Sequence, residues 1–161
     1  MKIKIIKAKK ENIKDVSFLF NLYRQFYKYK SSPKKSLKYI NDRISKKEST
    51  IFVCYYDKEA TGFVQLYETF DSLNLNKKLV LYDLYVKKNF RKKGIGRVLM
   101  DKAKVYAIKN KFKIIELSTA ITNKKAQSLY ETLEYKRDKE YYNYYLLIII
   151  LLIKSQLLYL L

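Results

Sequence analysis

Two periods of apolar spacing run along this chain, and the switches between them mark its elements. Residues 2–7 interleave lysine with isoleucine, the alternation of a short strand with one buried face. Val16, Leu19, Phe20, Tyr23, Phe26 and Tyr27 then recur at helical spacing and predict an amphipathic helix. Ser31, Ser32 and Pro33 end it, and Leu37, Ile40 and Ile44 predict a second helix. Residues 49–56 and 60–69 are β-branched and aromatic runs on either side of Asp57-Lys58, which predicts a hairpin. A third such run covers residues 79–86. Beyond it Ile95, Val98, Leu99, Ala103, Tyr106 and Ala107 make one helical face. Residues 114–118 predict a strand, Ala126, Leu129, Tyr130 and Leu133 a short helix, and residues 141–150 a closing strand.

Strand, helix, strand, helix from residue 79 onward implies a parallel crossover within a mixed sheet. No repeat or linker interrupts the order, and 161 residues suit one core. The expectation is a single α/β (α+β) layered domain over residues 1–148, followed by an apolar tail at 149–161.

Composition narrows the chemistry. The chain has no histidine and one cysteine, Cys54, which excludes an internal disulfide, a cysteine-based zinc site and every triad built on histidine. Acid and base work falls to carboxylates, tyrosine, lysine or relayed water, and no metal is expected. Thirty-five basic against 15 acidic side chains give a formal charge of +20, a field that favours anionic ligands. The hydrophobic fraction of 48% argues against disorder despite that charge.

Glycine is scarce: Gly62, Gly94 and Gly96 are all there are. Two of them fall in Arg91-Lys92-Lys93-Gly94-Ile95-Gly96, between a predicted strand and a predicted helix. Such a loop offers backbone N–H groups at the positive end of a helix, and its cations add to that, so it reads as an anion site. A dinucleotide fingerprint would need a small residue at Leu99, and no glycine is followed by Lys and then Ser or Thr. A shorter phosphate loop remains.

These residues resemble the GCN5-related N-acetyltransferase (GNAT) family, in which an R/Q-x-x-G-x-G/A loop grips the pyrophosphate of acetyl-CoA. Leu81-Tyr82-Asp83-Leu84-Tyr85-Val86 is similar to the family's central strand, Phe63-Val64-Gln65-Leu66-Tyr67 to the strand before it, and Asn123 through Glu131 to its second cofactor helix. The resemblance implies a mostly antiparallel central sheet with a splayed strand pair, flanked by helices, and acetyl transfer from acetyl-CoA to a primary amine by direct attack in a ternary complex. It implies that the main chain of Leu84, Tyr85 and Val86 aligns the pantetheine arm. Arg91, Lys92, Lys93, Gly94, Ile95, Gly96 and Arg97 would hold the pyrophosphate, Asn123 would meet the pantetheine region, and Tyr130 would protonate the departing thiolate.

A packing role for Tyr130 stays open, because it shares an apolar stripe with Ala126 and Leu129. The base is Asp83, Glu68 or relayed water. Tyr23, Arg24, Tyr27, Gln65, Tyr67 and Asp71 are candidates for the amine pocket, Arg24 as receiver of a substrate carboxylate. Glu134 stands where the family usually has glycine, which calls for a left-handed glutamate or another turn.

Residues 144–153 are continuously apolar, too few for a membrane span of about 20 residues. A homodimer covering the tail is expected instead, and residues 1–5 hold no leader-like apolar stretch, so a cytoplasmic location is expected. The rival to the enzyme is a basic module that binds RNA through its lysines and tyrosines, or an acetyltransferase whose amine is carried on RNA.

Overall fold

The computed structural model describes residues 2–146. Among these residues five strands form one sheet in chain order: β1 (Ile3–Lys7), β2 (Thr50–Tyr56), β3 (Glu59–Asp71), β4 (Asn76–Val86) and β5 (Ile114–Leu117). The first four pair antiparallel, and β4 with β5 is parallel, across helix α3 (Ile95–Lys109). Helices α1 (Ile13–Phe26) and α2 (Pro33–Ser45) cover one face of the sheet and α3 the other, with α4 (Lys124–Glu131) beside it.

Alternation along the strands sorts the two cores. Val16, Leu19 and Ile40 meet Ile51, Val53, Phe63 and Tyr85 on the α1–α2 face. On the other face Phe52, Cys54, Val64, Leu66, Leu79 and Leu81 meet Ile95, Leu99, Met100 and Ala103 of α3. Asp57 (φ 46°) and Lys58 (φ 73°) form the two-residue turn of the β2–β3 hairpin, both left-handed as a primed turn requires.

With so few glycines, other residues must take the left-handed positions that end helices. Lys28, Lys47, Lys111 and Glu134 do so, at φ 64°, 56°, 61° and 68°, after α1, α2, α3 and α4. Each carries the paired Schellman bonds; at Glu134 these are Glu134 N–H to Glu131 O and Tyr135 N–H to Tyr130 O, both 3.0 Å. The left-handed glutamate anticipated from the sequence is therefore present.

One irregularity shapes the site. Gln65 pairs with Asp83 and Leu66 with Leu81, so Tyr82 is an extra residue, a bulge, in β4. Before it Leu79 and Leu81 face α3; after it Leu84 and Val86 do, while Asp83 and Tyr85 turn toward α1. Pairing with β5 stops at Leu81 in the same place, leaving that edge of β4 without a strand partner among the described residues from Tyr82 to Val86. This is the splayed pair.

The expected closing strand is corrected in part. Residues 141–146 carry no strand and are exposed, because a strand needs a ladder partner for its backbone and none among the described residues pairs with them. The rest of that expectation, and the tail at 149–161, lie outside the described residues.

Candidate active site

Where β4 and β5 part, a cavity of about 850 Å³ opens. Its walls are the end of α1, the free edge of β4, the loop into α3, Ser118 and Thr119 after β5, and the first turns of α4. At 2.7 Å from the Tyr85 carbonyl oxygen, a Cβ on Gly62 would collide with backbone, and it would also crowd Leu99 and Ile95. That bare backbone lets the N-terminal end of α3 settle close to the sheet.

The loop is built for an anion. Lys92 (φ 62°) and Gly94 (φ 77°) are both left-handed, and the first intrahelical bond is Val98 N–H to Gly94 O at 3.1 Å. The amides of Ile95, Gly96 and Arg97 precede that bond and lack an intrahelical acceptor. Arg91 and Lys92 line the cavity, and Arg91 is braced by its Nε donating to Val86 O at 3.0 Å and by the Phe26 and Tyr85 rings. Lys93, grouped with them by sequence, turns away: its ammonium lies over Tyr56 and Phe90. Arg97 lines the cavity and donates to Thr132 Oγ1 at 2.9 Å, tying α3 to the end of α4.

Asn123 caps α4, its side chain accepting from Ala126 N–H at 3.4 Å and donating to Thr119 Oγ1 at 3.3 Å. Leu84, Tyr85, Val86, Gly94, Ile95, Gly96 and Asn123 all line the cavity, together with Tyr23, Tyr27 and Tyr130. Burial, with Tyr27 and Tyr135 nearby, pushes the Tyr130 phenol up to about 12, so it holds its proton at neutral pH.

Asp83 is not on the wall. It is 6% exposed and sits behind Tyr23. Burial raises its carboxyl to about 6, and the Tyr23 hydroxyl against it opposes the rise. Tyr23 and Tyr27 are in turn raised by burial first and by Asp83 second. Gln65, opposite Asp83, is fully buried and donates to Ser49 Oγ at 2.8 Å and to the Tyr67 hydroxyl at 2.9 Å. Tyr67 also bonds Tyr39 and packs on Tyr82, so both residues support the site from outside the cavity.

Arg24 is off the wall as well, its guanidinium over the Tyr29 ring, because position 24 falls on the helix face beside α2. Glu68 is exposed and accepts from Tyr106, and Asp71 holds Asn74 at the tip of the β3–β4 hairpin; neither lines the cavity. The sequence pattern did not single out Lys124 and Lys125, which line the cavity from the first turn of α4. Lysines at a helix N-terminus oppose the helix dipole, and that conflict was the available signal of an anion nearby.

The profile of the acetyltransferase (GNAT) family matches residues 16–135. The chain belongs to the GNAT family. It is 36% identical over 140 residues to an uncharacterised N-acetyltransferase of Bacillus subtilis, YhfO, a match spanning 87% of this chain and 94% of that one. The crystal structure of a probable acetyltransferase superposes with a TM-score of 0.84 at 35% identity, covering 90% of this chain and 97% of the other. Aminoglycoside N-acetyltransferase AAC(6')-Iy, whose structure is a complex with CoA, shares the GNAT fold at a TM-score of 0.77 and 15% identity over 89% of this chain and 94% of that one. Acyl transfer is the reaction class of this GNAT enzyme. No helix among its described residues is long and apolar enough to cross a membrane.

Proposed function

We propose that this enzyme transfers the acetyl group of acetyl-CoA directly to a primary amine, with both substrates bound together in the cavity between β4 and β5. The observation that carries the reading is the edge of β4 beyond Leu81, unpaired among the described residues, which leads straight to the left-handed loop at the start of α3. An extended amide chain suits such an edge, because strand-like hydrogen bonds satisfy backbone that the sheet leaves open. Leu84, Tyr85 and Val86 would align it. The pyrophosphate would fall to Arg91, Lys92 and the amides of Ile95, Gly96 and Arg97. The CoA complex of the aminoglycoside enzyme with the same fold supports this occupant.

Chemistry follows from where protons are held. The amine must arrive at the thioester carbonyl unprotonated, so a proton acceptor is needed on the α1 side, where Asp83 is the buried carboxylate. Collapse of the tetrahedral intermediate expels a thiolate, and Tyr130, still protonated at neutral pH, donates to it and recovers the proton that the acetylated nitrogen sheds. The acceptor class is an amine presented as a small molecule, an amino acid or a protein lysine or N-terminus.

Calorimetric titration with acetyl-CoA and with CoA at physiological salt tests the reading against a Gly94→Glu variant, with polyphosphate as a charge control. Saturable one-to-one binding that the variant abolishes is the expected result. Affinity no better than polyphosphate's would reduce the loop to a basic turn and move polynucleotide binding to the front.

A further inference from the structure

Asp83 is buried against Tyr23, which lines the substrate cavity while Asp83 does not. We propose that Tyr23 takes the proton of the acceptor amine and in the same event passes its own proton to Asp83, which does not touch the substrate. This rests on the amine acetylation proposed above and assigns its proton route.

The placement is specific. Tyr23 lines the cavity, whereas Asp83 does not and is almost wholly buried. The Tyr23 ring is wedged among Phe20, Tyr27, Phe63 and Tyr85, with centroids 6.1, 5.1, 6.1 and 6.3 Å away. Four rings fix its direction, and its hydroxyl is set against the Asp83 carboxyl. The bulge at Tyr82 is what turns Asp83 to this face of the sheet, toward α1.

Tyr23 is a poor base by itself, because burial and the neighbouring carboxylate both disfavour its phenolate. It can therefore exchange one proton for another but not keep a negative charge. In the exchange the N–H bond of the ammonium breaks and a bond forms from that proton to the Tyr23 oxygen. The Tyr23 O–H bond breaks and a bond forms from its proton to an Asp83 oxygen. An ammonium and a carboxylate become a neutral amine, with its electron pair free to attack, and a neutral carboxylic acid. The buried carboxylate loses its charge, which its burial favours. After the product leaves, Asp83 returns its proton to solvent by the same route.

Their neighbours separate two phenols that share one cavity. Tyr23 has a carboxylate behind it and relays; Tyr130 has Tyr27 and Tyr135 beside it and donates. The other groups facing the pair are Tyr27 on α1, Tyr67 on β3 and Tyr130 on α4, all raised phenols, and Arg91, which lies over the Tyr85 ring. Among the described residues this leaves Asp83 to set any titration near neutral pH.

Tyr23→Phe removes one oxygen and keeps the ring packing, so it is the variant of choice, with Asp83→Asn and the double variant beside it. Acetyl-CoA binding by calorimetry should be unchanged in all three; its absence in the wild type would defeat the acetyl-CoA reading and not the relay. With 2-phenylethylamine as acceptor and thiol release as readout, each single variant should lose about 100-fold in kcat, a general-base effect. The double variant should be no slower than either single one, because one route is removed once. A wild-type kcat in Tyr23→Phe, or losses that multiply in the double variant, would overturn the relay. Hydroxylamine, neutral at the assay pH and in no need of a base, should be acetylated by both single variants at near wild-type rates. Carbon-13 titration of the Asp83 carboxyl needs no acceptor and decides alone if neither amine turns over. Its midpoint should rise in Tyr23→Phe, and an unmoved midpoint would show that the two groups do not exchange protons.

Discussion

A buried carboxylate that serves chemistry costs stability, and Asp83 shows the sign. Its pKa rises on folding from 3.8 to about 6, so the folded state resists its ionisation. Below pH 3.8 there is no cost; the cost grows as pH rises toward 6 and stays level above, at about 3 kcal/mol for a shift of this size. Asp83→Asn should therefore be nearly neutral at pH 4 and more stable than wild type at pH 8, as urea midpoints at the two values would show. Equal midpoints at both would mean that Asp83 is solvated. Tyr130→Phe should lower kcat by about 10- to 100-fold while leaving the KM for acetyl-CoA close to wild type, the signature of a lost proton donor. Unchanged turnover would return Tyr130 to a packing role. At this scale the loop from Arg91 to Arg97 was legible because glycine and cations are concentrated there. The turned-away Lys93 and the sideways Arg24 were not, since spacing says which face a residue takes only once the neighbouring helix is placed.

Elements were legible to within a few residues wherever one face is buried. The strand expected at 60–69 extends over Glu59–Asp71, and that at 79–86 over Asn76–Val86, because hairpin pairing carries both past their apolar runs. Helix ends were harder to read, as the usual glycine is missing from all four. Each left-handed lysine or glutamate carries backbone strain that glycine relieves, so Lys47→Gly and Glu134→Gly should each stabilise by about 0.5–1 kcal/mol in thermal melts. Gly62→Ala should do the reverse by about 2 kcal/mol or more, since its methyl meets backbone. A wild-type melting temperature in that variant would show that β3 and β4 can part around Tyr85 without loss. The expected closing strand failed over 141–146 for a different reason: β-propensity describes a residue's fit to a sheet and cannot supply the partner strand.

Over the whole molecule, charge acts at the longest range. At +20 the folded chain repels itself, and shortening the Debye length from about 30 Å at 0.01 M salt to about 8 Å at 0.15 M should raise Tm. The same change should weaken acetyl-CoA binding, because its phosphates are drawn by that field; a Tm indifferent to salt would place the charges too far apart to matter. The layered order was legible from the alternation of periods, and the sheet obeys it. What the periods could not announce was the single extra residue in β4, which is invisible to any count of apolar positions. Tyr82 acts there as a phase marker. Kept but paired regularly, without the bulge, it would send Asp83 and Tyr85 toward α3 and Leu84 and Val86 toward α1, exchanging a proton site for aliphatic carbon without altering any residue. Loss of Tyr82 alone is thus expected to leave both faces in place, since Leu81 and Asp83 already alternate, whereas loss of one paired residue of β4 exchanges the faces beyond it, a rule about length rather than side-chain identity.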